Sequence, residues 1–204
     1  FFPYLIINSE TDKINNLIDK YKILPLGTIS NKNIYLCNEN GNPVTFFSDN
    51  FGFRNKNIVY SNNQEKVIFL GDSNIIGFCH EYEKTIAGIV EKKFKNKKIL
   101  NLSQGGTGPL IQSATIREYA FDVNFNEVYW FLFTGNDFVN LVDETDNIYL
   151  NKYINQKYTQ KLKINQNKIN NFYSDLKVKS YHLVTPDDDF IKRYKKKKLN
   201  FKNF

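Results

Sequence analysis

From residue 66 onward, apolar runs of strand length alternate with helical patterns, and this alternation constrains the fold more than any other feature. Strands are predicted at 67–71, 97–103, 127–135 and 179–186. Helices are predicted between them at 83–94, 109–121 and, as a polar helical stretch, 151–175. The run at 127–135 is apolar on both faces, which is typical of a central parallel strand. Together these patterns predict an α/β fold, with helices on both faces of a parallel sheet and right-handed crossovers.

The first 64 residues lack this alternation. Residues 9–21 carry apolar side chains at helical spacing and predict one short helix. Two apolar runs separated by Asn40-Gly41 predict a β-hairpin within 33–60. We therefore divide the chain into a hairpin-containing lead-in, 1–64, which packs on a main domain, 65–204.

The net charge of +7 is spread along the chain and comes mainly from lysine. A nucleic-acid-binding protein would concentrate arginine and aromatic residues on one element, and this chain does not. The dense run "KRYKKKK" at 192–198 is interpreted as a solvated surface segment. No stretch approaches the roughly 20 apolar residues of a membrane-spanning helix. We therefore expect neither a nucleic-acid partner nor a membrane span.

The two cysteines, Cys37 and Cys79, lack the paired spacing of a zinc site. Their number leaves a disulfide and free thiols both open. We expect them to lie close together, because the hairpin must pack near the loop after the first strand, and an exported chain would then form a disulfide. The cell envelope or periplasm is therefore slightly favoured over the cytoplasm. The chain begins at Phe1 and contains no methionine, and we expect it to be a fragment.

Chemically useful residues follow three successive strands. Gly71-Asp72-Ser73 follows the first, "QGGTGP" (104–109) the second and Gly135-Asn136-Asp137 the third. Because the carboxyl ends of parallel strands meet at one edge of a sheet, these loops are expected to lie together. They offer a hydroxyl, close-approach glycine backbone and an amide donor, which are the parts of an acyl-transfer site. A cap by Ser73 and ordinary turns at the glycines and Asn136 are the alternative interpretations.

The order and placement of these three motifs resemble the SGNH (GDSL-type) hydrolase family. The resemblance implies a three-layer α/β/α, flavodoxin-like sheet in which the strand at 67–71 lies between the second and third strands. The lead-in segment "SDNFGFRN" (48–55) also resembles segments that precede this domain in bacterial members.

The resemblance also assigns roles to the residues that match the family motifs. It implies that Ser73 is the nucleophile of an ester hydrolase. The backbone N–H groups of Ser73 and Gly106 and the side-chain amide of Asn136 would form the oxyanion hole. Supporting roles would fall to Gly71, Asp72, Gly105 and Asp137. We expect the Asp72 carboxylate to hold its loop by accepting backbone N–H bonds.

The chain departs from the family pattern in two places. Gly135 directly precedes Asn136, without the usual intervening residue, and the final Asp-x-x-His block is absent. The two histidines, His80 and His182, are interpreted as structural, because a triad base needs an orienting carboxylate. We therefore expect the main domain to be incomplete at its C-terminal end and the 204-residue chain to be essentially inactive.

The resemblance implies a small acyl ester, such as an acetyl ester, or an acylated glycan as substrate, and no metal or organic cofactor. An O-acyltransferase and a catalytically inactive SGNH-like domain that binds a glycan or an acyl group are the alternatives. A flavodoxin-like nucleotide-binding function is disfavoured because the glycine-rich loop lacks a phosphate-binding motif.

Overall fold

The computed structural model of the chain describes residues 2–3, 11–38, 43–61 and 65–176. The strands are β1 (Phe2–Pro3), β2 (Asn33–Cys37), β3 (Val44–Phe47), β4 (Lys66–Leu70), β5 (Lys98–Asn101) and β6 (Phe125–Trp130). The α-helices are α1 (Thr11–Tyr21), α2 (Ile58–Ser61), α3 (Ser73–Ile76), α4 (Ile86–Lys93), α5 (Pro109–Tyr119), α6 (Asp137–Asp146), α7 (Ile148–Asn151) and α8 (Gln166–Asp175). Short 3₁₀ turns occupy Tyr82–Lys84 and Lys152–Ile154.

The main sheet is parallel and has the strand order β5-β4-β6. The first strand of the main domain therefore lies between the second and the third, as predicted. All five residues of β4 are buried, as expected of a central strand. The fourth predicted strand, 179–186, lies outside the described residues.

Helices flank both faces of this sheet. On one face Ile68 and Leu100 share a core with Tyr119 of α5 and Ile169 of α8. On the other face Val67, Phe69 and Ile99 pack against Ile75 of α3 and Ala87 of α4. The alternation of side chains along β4 produces the two cores, because successive residues of a strand point to opposite faces. The predicted α/β arrangement is confirmed at this level.

The third strand of the main sheet differs from the prediction in position and extent. It was predicted as a central strand over 127–135, but β6 covers Phe125–Trp130 and pairs only with β4 among the described residues. Five of its six residues are exposed, with Trp130 47% accessible, whereas a central strand would be buried. The strand ends early because Asp137 donates its backbone N–H to the Phe133 carbonyl and so begins the turn into α6. A continuous apolar run does not show where such a turn begins.

The polar stretch 151–175 is not one helix. Its helical residues are divided between the end of α7, a 3₁₀ turn and α8. The buried Glu118 carboxylate accepts the backbone N–H groups of Gln160 and Leu162 at 2.6 and 2.7 Å, and Lys161 between them has φ of +56°. These backbone groups are used by a tertiary contact, so the helix cannot begin before Gln166.

Residues of the lead-in pack against the main sheet. Its β2 and β3 form the expected antiparallel hairpin, while Phe53 lies in the same core as Ile68. Asn55 extends the outer edge of β5, since its side chain accepts the Asn101 N–H at 2.9 Å and donates to the Asn101 carbonyl at 3.0 Å. The lead-in therefore contacts the end of β5, the strand that precedes the glycine-rich loop.

Within the described residues, none of the helices combines the length and apolar character needed to cross a membrane.

Candidate active site

The three predicted loops leave the sheet at the same edge and are bonded to one another at their bases. Leu102 donates its N–H to the Phe69 carbonyl and Phe131 donates to the Leu70 carbonyl, both at 2.9 Å. Gln104 then donates its N–H to the Gly71 carbonyl at 3.2 Å. Gly71 is therefore the point at which the glycine-rich loop meets the Ser73 loop.

Ser73 is the first residue of α3, and its neighbour performs the capping. The Asp72 carboxylate accepts the Asn74 N–H at 3.1 Å and serves as the N-cap. The α4 helix is capped by Thr85, whose hydroxyl accepts the Gly88 N–H at 3.1 Å. Within the described parts of the chain the partly exposed Ser73 hydroxyl makes no hydrogen bond, so the alternative of Ser73 as a cap is wrong.

Asp72 also connects the first loop to the third. The Asn136 amide donates to the second Asp72 carboxylate oxygen, with a nitrogen–oxygen distance of 3.5 Å. Asn136 occupies the N-cap position of α6 but makes no capping bond with its side chain. Its amide is therefore directed across to the Ser73 loop instead of to its own helix. The carboxylate holds the loop by a backbone bond, as expected, and additionally orients the predicted amide donor.

One glycine of the glycine-rich loop, Gly106, is favoured by its backbone conformation. Gly106 is exposed and has φ of +70°, in the left-handed region that L-residues avoid. Its neighbour Gly105 is buried, and the Thr107 hydroxyl donates to the Gln104 carbonyl at 2.8 Å. The Gly106 backbone is therefore at the surface, on a loop held by the buried Gly105 and by the Thr107–Gln104 hydrogen bond.

Glu144 of α6 fixes the other end of this loop, and the sequence interpretation missed it. Its buried carboxylate accepts the N–H groups of Gly108, Leu110 and Ile111, the first turn of α5. Glu144 therefore caps the N-terminus of α5, a role that Gly108 at the N-cap position cannot perform because it has no side chain. A sequence signal existed, because α5 begins at Gly108-Pro109 with no capping side chain of its own.

Close approach of α6 explains why Gly108 itself carries no side chain. A Cβ at this position would lie 2.9 Å from both the Asn140 Cβ and the Asp137 carbonyl oxygen. The second and third loops are therefore in contact through backbone and short side chains.

Two carboxyl groups near the loops, those of Asp137 and Glu144, have raised pKa values. Burial raises the pKa of Asp137, opposed by the Phe133 N–H bond and reinforced by the nearby Asp72 charge. Burial likewise raises the pKa of Glu144, and its three backbone N–H bonds oppose the shift. Asp137 is fully buried and accepts the Phe133 N–H at 2.8 Å, so it shapes the turn before Asn136 from inside the protein.

The structure does not place His80 in a catalytic position. His80 is exposed, and within the described residues its imidazole makes no hydrogen bond; its backbone closes the turn after α3 through a bond to the Gly77 carbonyl. His182 lies outside the described residues. In the described part of the chain, no group of three or more histidine, cysteine, aspartate or glutamate side chains could hold a metal ion.

Cys37 and Cys79 form a disulfide with a Cα–Cα distance of 5.4 Å, which confirms the prediction that they lie close together. The bond joins β2 of the lead-in to the turn that follows α3. The hairpin is therefore covalently attached six residues after Ser73.

Comparison with family models, with curated proteins and with solved structures found no match to this chain.

Proposed function

We propose that this chain is the core of a serine ester hydrolase of the SGNH type, acting on small acyl esters or acylated glycans through an acyl-serine intermediate. The observation that carries the proposal is the contact between Asp72 and Asn136 beside an uncommitted Ser73 hydroxyl. Asp72 performs the capping that Ser73 would otherwise perform, and it turns an amide donor toward the same loop. The cap and the bond to Asn136 also stabilise the loops, but together they leave the Ser73 hydroxyl beside an amide donor and, within the described residues, free of hydrogen bonds.

The reaction would proceed in two steps, acylation of Ser73 and hydrolysis of the acyl-serine. The Ser73 hydroxyl oxygen attacks the acyl carbonyl carbon, and its proton passes through a general base to the departing alcohol oxygen. During the attack, the Ser73 and Gly106 N–H groups and the Asn136 amide stabilise the oxyanion. Water then attacks the acyl carbonyl carbon of the acyl-serine, its proton passes through the general base to the departing Ser73 oxygen, and the carboxylic acid is released. Nothing in this scheme uses a metal or an organic cofactor.

The general base would come from outside the described residues, in an Asp-x-x-His segment. The test compares the 204-residue chain with the longest reading frame that contains it, using release of p-nitrophenol from p-nitrophenyl acetate. The longer protein is expected to hydrolyse the ester, and Ser73→Ala should abolish that turnover. The 204-residue chain is expected to be essentially inactive, because an unassisted serine is a weak nucleophile at neutral pH. Turnover that survives Ser73→Ala would overturn the proposal.

A non-hydrolytic domain that binds a glycan or an acyl group is the second candidate. It is favoured by the lack of any hydrogen bond between a described imidazole and Ser73. A reading frame that stops at Phe204, with saturable binding of an acetylated oligosaccharide in calorimetry that Ser73→Ala leaves unchanged, would support it. An O-acyltransferase shares the acyl-serine intermediate, and it would transfer the acyl group to an added sugar in preference to water.

A further inference from the structure

Arg54 of the lead-in binds the turn that carries Ser73. Its guanidinium is buried and donates to the carbonyl oxygens of Ile76, Gly77 and His80 at 3.1, 3.0 and 2.7 Å. The first two of these carbonyls belong to the end of α3, the helix that begins at Ser73. The third belongs to His80, at the end of the turn that follows the helix.

These bonds provide donors for carbonyl groups at the C-terminal end of α3. The last carbonyl groups of any helix lack intrahelical partners, and a cationic donor there also interacts favourably with the helix dipole. Hydrogen bonds from a charged donor are roughly twice as strong as neutral ones. The guanidinium also lies 5.7 Å from the Phe46 ring centre and 6.0 Å from the Tyr82 ring centre. The two rings restrict where the donor can move.

We infer that Arg54 is a positioning residue for the Ser73 turn, acting from the lead-in through the helix carbonyls. The Cys37–Cys79 disulfide is a second fixed point on the same turn. The lead-in is therefore part of the machinery that holds Ser73 in place. The catalytic consequence rests on the proposed function, but the claim about the order of the turn does not.

Arg117 offers a matched control in another part of the molecule. Its guanidinium also donates to three carbonyls, those of Tyr153, Asn155 and Tyr158, and also lies near an aromatic ring. Arg→Lys keeps the charge but loses the planar fork. Comparing Arg54→Lys with Arg117→Lys therefore separates a local effect from the general cost of losing a carbonyl-bound arginine.

The first readout is amide hydrogen exchange by NMR. Arg54→Lys is expected to accelerate exchange at Ile75, Ile76 and Phe78 by about tenfold or more, the consequence of losing one charge-assisted bond. Helix α5 should keep its rate. Arg117→Lys should accelerate Asn155 and Tyr158 and leave the Ser73 turn unchanged. Equal acceleration throughout the protein, or none in the turn, would overturn the inference.

The second readout is the alkylation rate of a thiol introduced by Ser73→Cys, measured against pH. The reactivity of a thiol depends on its position relative to nearby donors, so Arg54→Lys should shift the profile and Arg117→Lys should not. If Arg54→Lys does not fold, Phe46→Leu removes one ring that holds the guanidinium and should give a smaller shift of the same kind. A profile that neither variant moves would contradict the positioning role. An inactive protein with an ordered, Arg54-dependent turn would instead contradict only the proposed function.

Discussion

The Asp72 carboxylate accepts the Asn136 amide at 3.5 Å while its other oxygen accepts the Asn74 N–H. One side chain thereby connects a helix cap in the first loop to the third loop of the sheet. Because both loops start from neighbouring strands β4 and β6, a short aspartate can bridge them. An apolar side chain at this position would leave the Asn74 N–H and the Asn136 amide without this acceptor.

Asp72→Ala is therefore expected to lower the free energy of unfolding by about 1–3 kcal/mol, through loss of the cap and of the bond to Asn136. Asp72→Asn keeps an oxygen acceptor for the Asn74 N–H and should cost less. Urea denaturation of the two variants checks this order. Equal stability of Asp72→Ala and the parent would show that neither bond contributes.

Asn136→Ala should reduce turnover by the longer, active protein. Removal of one side-chain oxyanion donor typically costs about 10²–10³ in kcat. The measurement is steady-state hydrolysis of p-nitrophenyl acetate. Asn74→Ala, at an exposed position beside Ser73, serves as the control and should leave kcat within about twofold of the parent. A smaller loss for Asn136→Ala than for Asn74→Ala would remove Asn136 from the proposed hole.

Gly106 is expected to be sensitive to its backbone conformation. With φ of +70°, Gly106→Ala should cost about 1–2 kcal/mol of stability, the price of a left-handed L-residue. Gly106→Asn should cost less, because asparagine visits this region more readily. Thermal unfolding of both variants tests the prediction. The opposite order would show that the side-chain volume, and not φ, limits this position.

The raised pKa of Asp137 predicts a pH-dependent stability difference. Between the ordinary aspartate pKa of about 3.9 and the raised folded value, the folded protein binds more protons than the unfolded chain. The Asp137 contribution to the free energy of unfolding therefore falls as pH rises through this window. Asp137→Asn keeps an acceptor for the Phe133 N–H but lacks the titration, so its stability relative to the parent should rise as the pH increases above the ordinary aspartate pKa of about 3.9.

The control for this pH series is Asp143→Asn, at an exposed position of the same helix. Urea denaturation at several pH values gives the relative stabilities of both variants. A difference for Asp137→Asn that stays constant with pH, or that falls as pH rises, would contradict the raised pKa.

Reduction of the Cys37–Cys79 disulfide should lower the free energy of unfolding. The cysteines are 42 residues apart, and closing a loop of this length restricts the unfolded chain by about 4 kcal/mol. Thermal unfolding with and without reductant measures the change. The double variant Cys37→Ser, Cys79→Ser should be less stable than the oxidised protein and insensitive to reductant. A reductant effect that persists in this variant would point to a cause other than the disulfide.

Local sequence determined β4, β5, α4 and α5 of the main domain and which loops carry polar groups. The apolar runs around β4 and β5 and the helical spacing of α4 and α5 express steric and hydrophobic preferences of neighbouring residues, which a sequence displays directly. The same patterns identified the Ser73, Gly106 and Asn136 loops, because parallel strands place their carboxyl ends at one edge.

Only the tertiary structure decided how those loops are held. Glu144 reaches the first turn of α5, and Glu118 prevents one continuous helix before α8. Arg54 binds the Gly77 carbonyl of the Ser73 turn across a separation of 23 residues. Each contact joins a buried charged side chain to backbone groups distant in sequence. Such contacts have no periodicity, since they arise because buried polar groups must find partners wherever the fold brings them together.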